Sequence, residues 1–99
     1  MRTNLSNLID VSQANPGKDV YASSWWANTG PSGDTDVGHY GTHMVTFSRE
    51  NDGSLDACAV NPGWGSMSDK QGIGKILRGS SVQVFRGGVP VYNYNCLFG

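Results

Sequence analysis

The chain has 99 residues, with 7 Lys and Arg side chains against 8 Asp and Glu, so its formal net charge is −1. This length fits one domain, residues 1–99, and excludes a TIM barrel or a dinucleotide fold with a second domain. The charge balance argues against nucleic acid and anionic membrane surfaces as partners, since both attract a surplus of cations, and no apolar run reaches the ~20 residues that span a bilayer.

Uncharged polar residues dominate the composition. Charged residues make up 15% of the chain and glycine occurs 14 times, whereas an average soluble domain is about 25% charged. Three Trp, four Tyr and three Phe residues can fill a core, so we expect a folded, β-rich domain rather than a disordered chain. The residues after Met1 lack the apolar core of a signal peptide, so the chain is either a secreted protein without its signal peptide or a protein made without one. The composition favours the first alternative and an extracellular location.

The first third of the chain contains three predicted elements. The apolar residues of 4–12 recur at helical spacing and predict a short N-terminal helix, although an edge strand fits nearly as well. The aromatic and small residues of 19–27 predict a strand. Residues 28–36 consist almost entirely of turn formers, so we expect a long loop there that could bind a ligand.

A β-hairpin is predicted near the middle of the chain. Residues 42–48 alternate in polarity and can pair with residues 55–60 through an Asn-Asp-Gly turn. Residues 61–72 follow, and their glycines and proline predict a second irregular loop.

A second predicted hairpin lies near the C-terminus. Residues 81–86 and 89–94 flank a Gly-Gly turn, and this register sets Phe85 opposite Pro90. Pro90 has no N–H to donate, so its strand should lie at the edge of a sheet. All the elements together predict an all-β fold of about six short antiparallel strands, forming a small barrel or sandwich with a short N-terminal helix.

Cys58 and Cys96 are the only two cysteines, so they allow a single intramolecular disulfide in an oxidising compartment. The bridge would close a loop of about 39 residues and contribute roughly 3.5–4 kcal/mol. It would also hold down a C-terminal segment that otherwise frays. We therefore expect this disulfide, the alternative being two small buried thiols in a reducing cell.

The aromatic residues favour a binding module. Trp25 and Trp26 are adjacent, so on a strand one can lie in the core while the other reaches solvent. Rings of this kind stack on sugar C–H faces, and neighbouring amides and carboxylates can bond the hydroxyls; the alternative is that they fill a small core. We predict a small secreted, lectin-like module that binds carbohydrate. Its predicted ligand-binding residues are Trp25, Asn28, Asp34, Asp36, Trp64 and Tyr92.

A protein-binding effector, such as a protease inhibitor or a toxin, is a second hypothesis. Such a protein would present a rigid exposed loop to its target, and the two predicted loops 28–36 and 61–72 are the candidates.

His39 and His43 lead to a third hypothesis, a small ribonuclease or hydrolase. On one strand the two imidazoles would share a face and could act as general base and acid. Arg49, Glu50 or Arg86 would then supply phosphate or acid–base partners. The alternative is a pair of surface histidines near the start of a strand.

Asp34 and Asp36 could bind Ca²⁺ through their carboxylate oxygens. Aspartates in such loops more often form turns by bonding their own backbone. No other metal or cofactor is predicted.

Overall fold

The computed structural model describes residues 1–99 as an open β-sheet with helices against one of its faces. The sheet has seven strands in chain order, which are β1 (Asp19–Ala22), β2 (Trp25–Thr29), β3 (Thr35–His39), β4 (Thr42–Arg49), β5 (Leu55–Val60), β6 (Val84–Arg86) and β7 (Val89–Pro90). The helices are α1 (Leu8–Ala14), which follows a 3₁₀ turn at Leu5–Asn7, α2 (Met67–Gly79) and α3 (Tyr94–Phe98). No helix combines the length and the apolar character needed to span a membrane.

The sheet is mixed rather than antiparallel throughout. Strands β1 to β5 form an antiparallel meander, whereas β5 and β6 are parallel because α2 carries the chain back along the sheet between them. Strands β1 and β7 form the two edges and do not pair with each other. The predicted β-rich character is confirmed, but the all-β barrel or sandwich is wrong, because the sheet stays open and helices cover one face.

Helix α2 begins inside the segment predicted as the irregular loop 61–72. The glycines of this segment lower its helix propensity, so the sequence pattern does not indicate a helix. The helix starts at a capping box: Ser66 Oγ accepts the N–H of Asp69 at 3.1 Å, and Asp69 Oδ2 accepts the N–H of Ser66 at 3.2 Å. The apolar side chains that α2 buries are Ile73, Ile76 and Leu77.

The two faces of the sheet differ in burial, as β2 shows. Trp25, Ala27 and Thr29 are buried against the helices, while Trp26 and Asn28 point the other way and are half-buried. The buried side contributes to one hydrophobic core of 18 residues that includes apolar side chains of α1, α2 and α3. The two sides are termed the helix-covered face and the open face.

Helix α2 approaches the sheet closely at Gly72. A Cβ at this position would lie 2.3 Å from Nε1 of Trp25. Only glycine therefore lets the Trp25 indole lie against the helix backbone, and this contact positions the first turns of α2 over β2.

The predicted strand at 19–27 is two strands, β1 and β2, joined by a turn at Ser23 and Ser24. Ser23 has a φ of 56°, the left-handed conformation that two-residue hairpin turns require. Strands β2 and β3 also extend into the predicted loop 28–36, because cross-strand pairing outweighs the turn propensity of its outer residues. The loop contains only residues 30–34.

The N-terminal helix, the first hairpin and the turn of the second hairpin are confirmed, but the strands of the second are shorter than the predicted 81–86 and 89–94, because only Val84–Arg86 and Val89–Pro90 pair and Tyr94 begins α3. Strands β4 and β5 pair antiparallel, and Gly53 in their turn has a φ of 87°. In the second hairpin Phe85 lies opposite Pro90, and Pro90 belongs to the edge strand β7.

Residues 1–3 run beside β1 and occupy its outer edge. The N–H of Thr3 donates to the carbonyl of Tyr21 at 2.9 Å, and the N–H of Tyr21 donates to the carbonyl of Met1 at 2.8 Å. At the other edge, β7 is only two residues long and contains Pro90. Neither edge of the sheet therefore presents a long unpaired strand.

The predicted disulfide is absent: Cys58 and Cys96 are both free and exposed. Cys58 is the extra residue of a bulge in β5, because Thr46 pairs with Ala59 and Phe47 pairs with Ala57. Its thiol donates to the carbonyl of Thr46 at 3.4 Å. Cys96 is exposed because the short helix α3 turns a different residue, Leu97, into the core. Each thiol thus faces solvent, and no bridge closes.

Candidate functional site

The open face carries two rows of side chains that cross strands β1 to β4. Cross-strand pairing sets the members of each row side by side. The aromatic row consists of Tyr21, Trp26 and His43, with the backbone of Gly38 between the last two. The polar row consists of Asp19, Asn28, Asp36 and Thr46.

Trp26 is the largest side chain of the aromatic row. Its ring lies over the backbone of Gly38, where a Cβ would be 2.1 Å from Cζ2 of the indole. Nε1 of Trp26 donates to the carbonyl of Tyr40 at 2.8 Å and fixes the ring in place. Because Trp26 is only half-buried, part of the indole surface remains open to solvent.

The polar row is held by its own hydrogen bonds. Asn28 Nδ2 donates to Asp19 Oδ1 at 2.9 Å, and Thr46 Oγ1 donates to Asp36 Oδ1 at 2.6 Å. The same oxygen of Asp36 lies 3.2 Å from His43 Nε2. These bonds use one oxygen of Asp36, whose side chain is 49% exposed, so the second oxygen can accept a hydrogen bond from a ligand.

The structure brings together only part of the predicted ligand-binding set. Asn28 and Asp36 are directly opposite each other on neighbouring strands. Trp25 is 2% exposed and lies in the core, so it cannot stack on a ligand. The adjacent Trp26 takes the outward position, and the sequence contained a signal for this: Asn28 is two residues after Trp26 and therefore shares its face.

The other predicted ligand-binding residues lie away from both rows. Asp34 is in the loop after β2, where its Oδ1 accepts the N–H of Arg49 at 3.1 Å. Trp64 precedes α2 and is 89% exposed. Tyr92 follows β7 and is 58% exposed. Asp34 and Asp36 thus have different hydrogen-bond partners.

The two histidines lie on different strands and opposite faces. Strand β3 ends at His39, and β4 begins after a two-residue turn, so His43 is not on the same strand. The His39 ring stacks on Trp25 at 4.3 Å, while the His43 ring lies 6.3 Å from Trp26. Because adjacent residues of β2 point to opposite faces, the two imidazoles do not converge. Arg49 is remote from both, and its guanidinium donates to Gln13 Oε1 at 2.6 Å.

The largest surface concavity, with a volume of about 630 Å³, lies between the β4–β5 and β6–β7 turns. Its lining includes Glu50, Asp52, Asp56 and Phe85. Hydrogen bonds from the side chain and backbone of Ser54 hold the pKa of Asp52 below its usual value. No group of three or more His, Cys, Asp or Glu side chains in the chain is arranged to hold a metal ion.

No protein-family model, curated protein or solved structure matches the chain. No family relationship therefore assigns a role to the two rows of the open face.

Proposed function

We propose that the protein binds a neutral oligosaccharide across the two rows of the open face. One observation carries the proposal: the fixed, partly exposed indole of Trp26 lies on the same face as the paired amide and carboxylate of Asn28 and Asp36, two residues along the strand from Asn28. Four paired strands make each row roughly 14 Å long, which suits a short oligosaccharide rather than a single small ion.

The chemistry of the two rows matches the two sides of a sugar ring. The indole offers an apolar surface to the C–H face, and the polar row offers amide, hydroxyl and carboxylate groups to the hydroxyls. Hydrogen bonds within the row already orient Asp36 and Asn28, so less side-chain freedom is lost when a ligand binds. The carboxylates of Asp19 and Asp36 would repel an anionic ligand, which favours a neutral glycan.

Secretion is part of this proposal and is supported by composition alone. With 15% charged residues, the surface depends on neutral hydrogen-bonding groups, as expected of a protein that acts outside the cell.

The test is an array of neutral oligosaccharides, followed by titration of any ligand found while Trp fluorescence is recorded. We expect Trp26→Ala and Asp36→Asn each to weaken binding at least tenfold, about 1.4 kcal/mol. Trp64→Ala is the matched control, because it removes an exposed indole that lies outside the rows. Circular dichroism checks the fold of each variant. No binding of the wild-type protein to any oligosaccharide, or full binding by Trp26→Ala, would contradict the proposal.

A protein target is a second candidate, favoured by one observation. Trp64 is 89% exposed and Met67 is 68% exposed at the start of α2, and exposed aromatic residues commonly anchor protein interfaces. The effector hypothesis predicts that the protein inhibits a member of a protease panel and that Trp64→Ala abolishes the inhibition. Inhibition that is unchanged in Trp64→Ala would exclude this residue as the anchor.

A further inference from the structure

A chain of three hydrogen-bonded side chains lies at one end of the sheet, on the helix-covered face. Ser24 Oγ, in the β1–β2 turn, is 2.8 Å from His39 Nε2 at the end of β3. His39 Nδ1 is 2.7 Å from Asp69 Oδ1 in the first turn of α2. A hydroxyl, an imidazole and a carboxylate in this order are the arrangement by which proteins activate a serine.

The charge on Asp69 determines the direction of these hydrogen bonds. Burial opposes ionisation of this carboxyl, but hydrogen bonds from His39 and Ser66 hold its pKa below the usual value. Its other oxygen accepts the N–H groups of Trp64 and Ser66 at 3.1 and 3.2 Å. An ionised carboxylate can only accept, so His39 Nδ1 carries a proton. In the neutral ring Nε2 is then free to accept the proton of Ser24.

The His39 ring is held firmly between aromatic neighbours. Trp25 stacks on it at 4.3 Å and an interplanar angle of 7°, and the ring of Tyr40 lies 4.5 Å away. Only 4% of the His39 side chain is exposed. Tyr40 keeps its position although its φ is 52°, a left-handed conformation that strains a non-glycine residue. By contrast Ser24 is half-buried in a surface turn, so a reactant can approach it from the end of the sheet.

We propose that Ser24 is a nucleophile for acyl transfer from small carboxylic esters, with His39 as its general base and Asp69 as the residue that orients His39. This activity goes beyond glycan binding, because it uses residues on the opposite face from the two rows. It also differs from the hypothesis that pairs His39 with His43.

The proposed reaction balances without a cofactor. Ser24 Oγ forms a bond to the ester carbonyl carbon while its proton moves to His39 Nε2. The bond from that carbon to the alcohol oxygen breaks, and the departing alkoxide takes the proton from Nε2. Water then attacks the acyl-serine, giving its proton to His39 and releasing the carboxylic acid as Ser24 recovers its hydrogen.

A small cavity lies beside His39 and Asp69. Its volume is about 100 Å³, and Tyr40 and Trp64 also line it, whereas Ser24 does not. Tyr40 is 71% exposed and Trp64 is 89% exposed, so both rings can contact an apolar or aromatic alcohol group.

4-Nitrophenyl acetate is the probe for this activity. We expect the wild-type protein to release 4-nitrophenol and to gain the mass of one acetyl group on Ser24. Ser24→Ala and His39→Gln should each lower the rate at least about 100-fold. Ser23→Ala is the matched control, because it removes the exposed neighbouring serine and should leave the rate unchanged.

A hydrolysis rate in Ser24→Ala equal to that of the wild type would overturn the proposal, since His39 would then act without a serine nucleophile. The wild-type protein supplies a test that does not depend on any variant folding. A fluorophosphonate forms an Oγ–P bond and loses fluoride when it meets an activated serine, so peptide mapping should find the label on Ser24. Label on another residue, or no label, would also overturn the proposal.

Discussion

Gly72 and Gly74 of α2 have different neighbours, so we expect alanine substitutions at these two positions to have opposite effects on stability. A Cβ on Gly72 would lie 2.3 Å from Nε1 of the buried Trp25, whereas a Cβ on Gly74 would meet only the flexible end of Arg78, at 2.8 Å. We expect Gly72→Ala to lower the free energy of unfolding by about 1–3 kcal/mol, because the core must shift. Gly74→Ala should raise it by up to ~1 kcal/mol through better helix propensity. Urea unfolding measures both, and equal effects would contradict the close approach at Gly72.

Asp69 makes the stability of the fold depend on pH. Burial opposes ionisation of Asp69, but hydrogen bonds from His39 and Ser66 hold its pKa below the usual value in the folded protein, so the folded state holds its proton less tightly than the unfolded chain does. The resulting stabilisation is complete above the unfolded pKa and is lost as the pH falls through the folded pKa. Urea unfolding between about pH 2 and about pH 6 should therefore show a steeper loss of stability in acid for the wild type than for Asp69→Asn. Identical pH profiles would show that Asp69 makes no such contribution.

At the scale of elements, the start of α2 depends on one hydroxyl. Ser66 Oγ accepts the N–H of Asp69 at 3.1 Å and completes the capping box. We expect Ser66→Ala to lower the free energy of unfolding by about 1 kcal/mol. Ser68→Ala removes a hydroxyl that lies 3.1 Å from Ser66 Oγ but caps no backbone N–H, and it should change the free energy of unfolding by less than about 0.5 kcal/mol. Thermal and urea unfolding of the two variants would test this, and similar losses would argue against a specific cap.

Elements set by local patterns could be predicted from the sequence. The Gly-Gly turn of the second hairpin fixes its register, and the structure places Phe85 opposite Pro90 as expected. The glycines of helix α2 suit a loop by propensity, so the local pattern does not predict the helix, while tertiary contact with Trp25 requires one of them. The division of 19–27 into two strands was missed because the turn uses serine rather than glycine at a positive φ.

The candidate sites depend on pairing between distant segments, which limits what the sequence could reveal. Asn28 and Asp36 could be selected as polar residues near aromatic ones, but only the register of β2 and β3 shows that they are opposite each other. Asp69 is 30 residues from His39, and no local pattern connects it to Ser24. Alternation along β2 does predict that Trp26 rather than Trp25 shares a face with Asn28, and Trp25 is buried in the core.

For the molecule as a whole, stability must come from the single core without a covalent bridge. Cys58 and Cys96 are both free and exposed, so both thiols should react with a thiol reagent in the folded protein. The double variant Cys58→Ser/Cys96→Ser should keep the wild-type Tm within a few degrees, since neither sulfur lies in the core. An increase in intact mass on reduction, or a large fall in Tm, would show that a disulfide forms.

The segment of residues 1–3 that runs beside β1 also affects how copies of the protein interact with one another. It satisfies the backbone N–H and carbonyl of Tyr21 that would otherwise face solvent at the free side of β1. Deleting these residues should leave a bare strand that a second copy can extend, and such strands promote aggregation. We expect the shortened protein to self-associate as its concentration rises, as measured by light scattering, while the full chain stays dispersed under the same conditions.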